Sequence, residues 1–308
     1  MIVSCGEALI DFVPMAGADG AAGYRPCPGG SPFNVAIATS RLGAPAGFLG
    51  CISTDFFGDL LVDTLHGNRV DTRLVARHGQ PTTLGFVSLD QTEPQYAFFS
   101  NGAADRSLLE DDVPDALPDE VACLQFGSIS LMQEPAATTL EALMRRESGR
   151  RVLSLDPNVR ASLIPDRDAY RRRLEGWIGL VDLVKVSQAD LDWLHPGESV
   201  EEVAARWREL GPTVVVVTTG SDGAFALTPA GVMRAPGVHG PVVDTVGAGD
   251  TFHGGLLARL HAQGLLDRQA LALATGQQVA DALSFANMAA AITCARRGND
   301  PPRIEEVA

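Results

Sequence analysis

Residues 242–252 read Val242-Val243-Asp244-Thr245-Val246-Gly247-Ala248-Gly249-Asp250-Thr251-Phe252. The spacing predicts a strand end, a glycine turn, and then an amphipathic helix carrying Phe252, Leu256 and Leu260. Glycines on both sides of Ala248 let backbone N–H groups converge at a helix amino terminus. There the dipole adds about 0.3–1 kcal/mol per negative charge, up to ~2 when the site is partly buried. Such a turn is an anion pocket. Asp250 lies inside it, and a carboxylate beside a developing oxyanion is counterproductive unless it receives a proton from an attacking hydroxyl. General base catalysis of that kind contributes roughly 10²–10⁴-fold. A simpler reading stands beside it, in which Asp250 only caps the helix and the glycines only make the turn.

Upstream of the turn, strand-like runs at Cys123 to Phe126, Val152 to Leu155, Val181 to Val186 and Val214 to Thr218 alternate with segments of helical period. Those segments are Glu134 to Arg146, Arg167 to Gly179 and Val200 to Leu210. Alternation of this kind predicts a parallel sheet with helices on both faces, which binds ligands beyond the carboxyl ends of its strands. Nearer the amino terminus, Ile2 to Ser4 and Leu9 to Val13 read as strands, and Ser31 as N-cap with Pro32 at N1 starts a helix that Gly43 stops. A further helix after Asp55 carries Phe56, Leu60, Leu61 and Leu65 as core positions. The alternating stretch Leu84 to Leu89, a polar turn from Asp90 to Pro94, and Tyr96 to Phe99 predict a β-hairpin that interrupts the αβ rhythm.

The chain has 308 residues, 45% hydrophobic and 20% charged, which is an ordinary globular composition with ample length for a large core. Its net charge of −14 repels polyanions, so neither nucleic acid nor an anionic membrane surface is an expected partner. Five scattered cysteines without a C-x-x-C pair suit reduced thiols, and the amino terminus lacks a basic leader before Glu7 and Asp11, so a cytoplasmic protein is expected. No apolar run approaches a membrane span of about 20 residues.

Several other chemistries are excluded or weakened by the residues themselves. Lys185 is the only lysine and Val184 precedes it, so there is no Walker P-loop. A dinucleotide fingerprint fails because Phe252 stands where its third glycine belongs. Thr219-Gly220-Ser221-Asp222-Gly223 nearly matches a hydrolase elbow, yet Thr219 takes the place of the first glycine. Two features complement the glycine turn: Asp11, an acid inside an apolar strand, and Gly29-Gly30 followed by Asn34. Carboxylate and amide groups make paired hydrogen bonds to vicinal hydroxyls, and glycine lets a ligand touch the backbone, so together they can hold a polyol. Taken singly, Asp11 also reads as a solvated strand-end acid and Asn34 as a helix-start polar residue.

The constellation resembles the ribokinase-like (PfkB) carbohydrate kinase family from Gly6 to about Pro302. The motifs that carry the likeness are Asp244 to Phe252, Gly29-Gly30-x-x-x-Asn34-x-Ala36 followed by Leu42-Gly43, and Gly50-x-x-x-x-Asp55-x-x-Gly58. The resemblance implies one α/β domain over residues 1–308, a three-layer αβα fold with a mostly parallel central sheet. It also implies a small β-sheet lid built from about 9–28 and 83–105, whose closure excludes water. It implies a monomer, or a homodimer formed through the lid, acting on a small-molecule sugar and ATP.

By the same resemblance, Asp250 activates the sugar hydroxyl. The N–H groups of Gly247, Ala248 and Gly249, with Arg160, stabilise the transferring phosphoryl. Lys185, Thr219, Gly220, Gly223 and Asn287 line the nucleotide. Magnesium rides on the ATP phosphates, with a water-mediated contact to Asp190. A monovalent cation such as potassium is held by Asp244 and the carbonyls of Val246, Thr293 and Gly298.

Within the family, the lysine that ribokinases and phosphosugar kinases often carry is absent from Gly29-Gly30-Ser31-Pro32, and Phe98-Phe99 is followed by Ser100 where ketodeoxygluconate kinases usually place an arginine. Both departures favour an uncharged sugar. Glu7, Ala103-Ala104-Asp105 and Gly127 to Leu131 look like bacterial fructokinases, so fructose giving fructose 6-phosphate is the expected reaction. The alternatives are a kinase of the same family for another neutral sugar, ketodeoxygluconate or a nucleoside, and, behind these, a non-catalytic protein that binds sugar or nucleotide. The substrate contacts so implied are Asp11, Gly29, Gly30, Asn34, Phe98 and Ala104.

Overall fold

This computed structural model describes residues 1–16, 22–88 and 95–307. After β1 (Ile2–Cys5) the chain makes an excursion through β2 (Leu9–Ala16) and β3 (Ala22–Gly29). It returns through α1 (Ser31–Arg41) to β4 (Ala46–Ser53), α2 (Phe56–Gly67) and β5 (Asp71–His78). A second excursion holds β6 (Leu84–Ser88) and β7 (Gln95–Phe99). The alternating part follows: β8 (Cys123–Gly127), α3 (Ala136–Glu147), β9 (Val152–Asp156), α4 (Arg167–Ile178), β10 (Leu183–Ser187), α5 (Gln188–Leu194), α6 (Val200–Glu209) and β11 (Val214–Thr218). The chain ends with β12 (Gly223–Thr228), β13 (Gly231–Pro236), α7 (Ala248–Ala262), α8 (Arg268–Ala272), α9 (Gly276–Cys294) and α10 (Ile304–Val307).

The main sheet has the order β13-β12-β11-β10-β9-β8-β1-β4-β5. Its strands are parallel except for the antiparallel β11–β12–β13 edge. Period-two alternation sorts side chains to its faces. In β11, Val215 and Val217 join Leu174, Trp177 and Trp207 in the core under α4 and α6. Val214 and Val216 face the opposite core, which contains Phe252, Leu256 and Leu257 of α7 and Leu283 of α9. Helices on both faces of one sheet make the three layers that strand and helix alternation predicts. The two excursions meet in a second sheet of order β3-β2-β6-β7.

Four local expectations change. Gly30, with φ of 107°, is the N-cap of α1 and Ser31 is its first helical residue, so the Ser31 side chain is free for another task. Val242 and Val243 form no strand: they are 70% and 59% exposed in a loop whose Val243 N–H is held by the Cys294 carbonyl at 2.8 Å. On α2, Leu61 and Leu65 are buried, whereas Phe56 is 74% and Leu60 38% exposed, because only one stripe of the helix faces β4. The hairpin strand ends at Phe99, with a turn and a single 3₁₀ turn at Ala104–Arg106 filling the span to 105. The turn expected at 90–94 lies outside the described residues.

Candidate active site

The glycine turn opens α7. Gly247 is the N-cap in the left-handed region, with φ of 76°, and a Cβ there would meet Asn299 Oδ1 at 2.0 Å, so only glycine fits. The Ala248 N–H closes the turn onto the Thr245 carbonyl at 3.2 Å, while Thr251 makes the first helical bond, to Gly247. Gly249 and Asp250 stand in the first turn, where backbone N–H groups have no carbonyl one turn back.

Asp250 does not cap the helix through its side chain. Its Oδ1 accepts the Ser31 hydroxyl at 2.6 Å and its Oδ2 accepts Asn34 Nδ2 at 2.8 Å. Burial pushes this carboxyl above its ordinary value, with the Asp156 charge in the same sense; the Ser31 and Asn34 hydrogen bonds and Arg160 oppose it. Asn34 is buried, and its Oδ1 lacks a partner among the described residues.

Asp11 lies on β2, in register with Gly85 of β6 and close to Gly29 at the end of β3. A Cβ at Gly29 would stand 2.5 Å from Asp11 Oδ2, and one at Gly85 would stand 2.6 Å from Asp11 Oδ1. The same Cβ at Gly85 would meet the Phe98 ring at 3.2 Å, so Phe98 and Asp11 share a face. Burial raises Asp11 to about 6, with Arg160 opposing and Asp250 adding to the rise. Arg160 is therefore a positive charge acting on both carboxylates, its Nη1 hydrogen-bonded to Asn158 Oδ1 at 2.6 Å.

Behind the turn, Ser154 and Asp156 of β9 and Lys185 of β10 project toward α7. Lys185 is buried and its Nζ donates to Asp156 Oδ2 at 2.8 Å. A Cβ at Gly249 would lie 3.3 Å from that Nζ, so the ammonium sits directly under the anion turn. Burial lowers the Lys185 pKa, but the Asp156 charge and hydrogen bond outweigh it and the net shift is upward. His253, one turn beyond Asp250, bonds Ser154 at 2.7 Å, and burial holds it neutral with a pKa of about 4.

Gly220, Gly223 and Asn287 line a cavity of about 470 Å³ that Gly249 and Ala248 also border. Thr219 braces its wall by donating its hydroxyl to the Gly223 carbonyl at 3.0 Å, and Asn287 Nδ2 reaches the Pro236 carbonyl at 3.0 Å. Asp190 turns toward the loop after β9 and accepts the Val159 N–H at 3.2 Å; burial and the nearby Asp156 charge raise its pKa. Asp244 gathers two of its expected neighbours, accepting from Val246 N at 3.0 Å and Gly298 N at 2.8 Å. Thr293 is buried, with its hydroxyl 3.1 Å from that of Thr251. Ala104 stands apart, buried in the core with Leu108.

Sequence reasoning missed Ser31 as a partner of Asp250, and it missed Gly85, Asp156 and His253. A signal existed for one set: polar residues at alternate positions of apolar strands, Ser154, Asp156 and Lys185, mark a face that meets something other than core.

A family model described as pfkB family carbohydrate kinase matches residues 1–306. A fructokinase of Rhizobium leguminosarum bv. trifolii is 41% identical over 272 residues, which is 88% of this chain and 83% of that protein. The crystal structure of a fructokinase with bound ATP from Xylella fastidiosa superposes with a TM-score of 0.90 at 29% identity, over 99% of this chain and 96% of the other. A fructokinase from Vibrio cholerae O395 in a fructose, ADP and calcium ion bound form gives a TM-score of 0.83 at 29% identity, over 97% and 94% of the two chains.

Proposed function

This chain belongs to the pfkB family of carbohydrate kinases, and on that premise we propose that it transfers the γ-phosphoryl of ATP to the primary hydroxyl of D-fructose, giving fructose 6-phosphate. The observation that carries the reading is the buried Asp250 carboxylate at the start of α7. Ser31 and Asn34 hold it on one side, and the cavity lined by Gly220, Gly223 and Asn287 opens beside the glycine turn on the other. Asp250 takes the hydroxyl proton as the oxygen attacks phosphorus. Phosphoryl transfer then needs positioning and positive charge more than covalent help. The amides opening α7, the helix dipole, Arg160 and the ammonium of Lys185 supply that charge.

Asp11, Gly29, Gly30, Asn34 and Phe98 form the sugar floor in this reading, and the names of the three relatives support fructose. The second sheet acts as a lid. Its face opposite Asp11 carries Phe12 stacked on Phe86 at 4.7 Å and set against Phe57 of α2 at 5.7 Å; Tyr24 and Phe99, which meet Phe86 edge-on, are half or more exposed, and this exposed aromatic end favours a homodimer through the lid over a monomer. Among the described residues no cluster of three or more His, Cys, Asp or Glu could hold a metal, which fits magnesium carried by ATP phosphates with Asp190 nearby. Bound there, magnesium would neutralise phosphate charge. Potassium would sit on Asp244 and the carbonyls of Val246, Thr293 and Gly298. No helix among the described residues is long and apolar enough to cross a membrane, and five free thiols suit the reducing cytoplasm.

The test is ADP release over a panel of sugars, with potassium present or replaced by sodium. Fructose should be turned over best, and strong turnover of another sugar with indifference to fructose overturns the substrate. Asp250→Asn should still bind sugar and nucleotide while losing roughly 10²–10⁴-fold in transfer. An unchanged rate removes the base.

A further inference from the structure

Glu7 stands where the main sheet hands the chain to the lid, between the end of β1 at Cys5 and the start of β2 at Leu9. The chain returns between Gly29 of β3 and Ser31 of α1. Both crossings pass through glycines in the positive-φ region. A Cβ on Gly6 would stand 2.2 Å from Ser130 Oγ, and one on Gly30 would stand 2.6 Å from the Glu7 carbonyl oxygen, so outgoing and returning backbone are pressed together. Glu7 bridges them. It is 2% exposed, its Oε1 accepts the Ser31 N–H at 3.0 Å, and its Oε2 accepts from the Ser130 N–H at 3.3 Å and from the Ser130 hydroxyl. Ser31 then donates its own hydroxyl to Asp250 Oδ1 at 2.6 Å.

A buried carboxylate is an expensive way to fill core space, since its charged form loses water and needs several donors in fixed geometry. Burial raises Glu7 to about 7 despite the hydrogen bonds from Ser130, Ser128 and Ser31. An apolar residue would pack there at less cost but could not grip the Ser31 amide. The carboxylate's contacts divide between Ser130, on the main-sheet side, and the Ser31 amide, and only the latter leads on to Asp250.

We propose that Glu7 is a positioning residue: by holding the first turn of α1 to the lid crossing, it aims the Ser31 hydroxyl at Asp250 and fixes the carboxylate for proton abstraction. The base is thereby tied to the lid's two crossings and takes up its working orientation with them. The inference rests on the reading of Asp250 as the base. The groups acting on Asp250 are Ser31 and Asn34 of α1, Asp11 of β2, Asp156 of β9, Arg160 beyond β9, and Lys185 of β10.

Steady-state kinetics against pH on Glu7→Gln, Ser31→Ala and the double variant test it. Ser31→Ala should lower kcat about tenfold, the scale of one hydrogen bond to a charged group, with the KM for ATP unchanged. The acid limb of kcat should move to higher pH, because the carboxylate loses a donor, and Ser31→Thr should restore both. Glu7→Gln should also lower kcat, and the double variant should be no slower than Ser31→Ala alone. Losses that multiply in the double variant, or a Glu7→Gln enzyme with native kcat and an unmoved limb, overturn the proposal. If Glu7→Gln does not fold, Ser130→Ala strips the hydroxyl donor from Glu7, leaving the Ser130 N–H and Ser31 untouched, and the same non-additivity with Ser31→Ala is required. Asp250→Asn separates the two failures. If it is inactive while the Glu7 and Ser31 losses multiply, only the positioning role falls; if it is active, the base assignment falls with it.

Discussion

Asp11 sits on a strand whose neighbours have given up their side chains to admit it. Adding one carbon at Gly85 would bring it within 2.6 Å of Asp11 Oδ1, and the carboxylate would have to swing off the floor of the cleft. Gly85→Ala should therefore raise the KM for sugar about tenfold, the scale of a small overpacking strain of roughly 1–3 kcal/mol, and leave the KM for ATP unchanged. An equal rise in both constants would mean that the second sheet had shifted as a body. Residues of this kind divide sharply in how readable they are. Asp250 declares itself because the glycines that define its surroundings are its sequence neighbours. Ser31 does not, because serine before proline is a good helix cap, and the partner that draws its hydroxyl elsewhere is 219 positions away.

Among the elements, α7 sets the surroundings of Asp250 through its contact with α1. Gly254 lets the two helices approach so closely that a Cβ there would meet Ala38 Cβ at 2.8 Å and the Thr39 backbone nitrogen at 2.9 Å. In an exposed helix, glycine to alanine would gain about 0.8–1 kcal/mol of propensity. In this buried contact the methyl must push α1 away, carrying Ser31 and Asn34 from Asp250. Gly254→Ala should therefore lower both the thermal midpoint and kcat, and a more stable enzyme of native activity would refute the close-packing argument. The alternation of apolar strands and helical periods predicts the αβ core well because each run reports its own local pattern. It misplaces Val242 and Val243, whose β-branched side chains read as strand although their backbone is pinned to the end of α9.

For the molecule as a whole, carboxylates buried near the crossings between the main and second sheets make stability depend on pH. Asp105, hydrogen-bonded to the Thr83 hydroxyl at 2.5 Å, is raised by burial from 3.8 to about 6. The folded state thus binds this proton more readily than the unfolded chain does. Its contribution to stability is complete below the unfolded value and is lost as pH rises through about 6. The thermal midpoint of the native protein minus that of Asp105→Asn should accordingly grow as pH falls from about 8 to about 5, and a constant difference would show that folding leaves the proton affinity of Asp105 unchanged. None of this wiring is visible in composition, since a net charge of −14 says how the surface meets polyanions and nothing about which acids lie inside.

The 219-residue span between Ser31 and Asp250 also bears on how the molecule is made. Synthesis delivers the small sheet and α1 first, and α7 arrives only in the last fifth of the chain. Copies still on the ribosome, or cut short before α7, carry Ser31 without its partner Asp250. If Asp250 is the base proposed above, such unfinished molecules would be inert and would cost a cell no nucleotide.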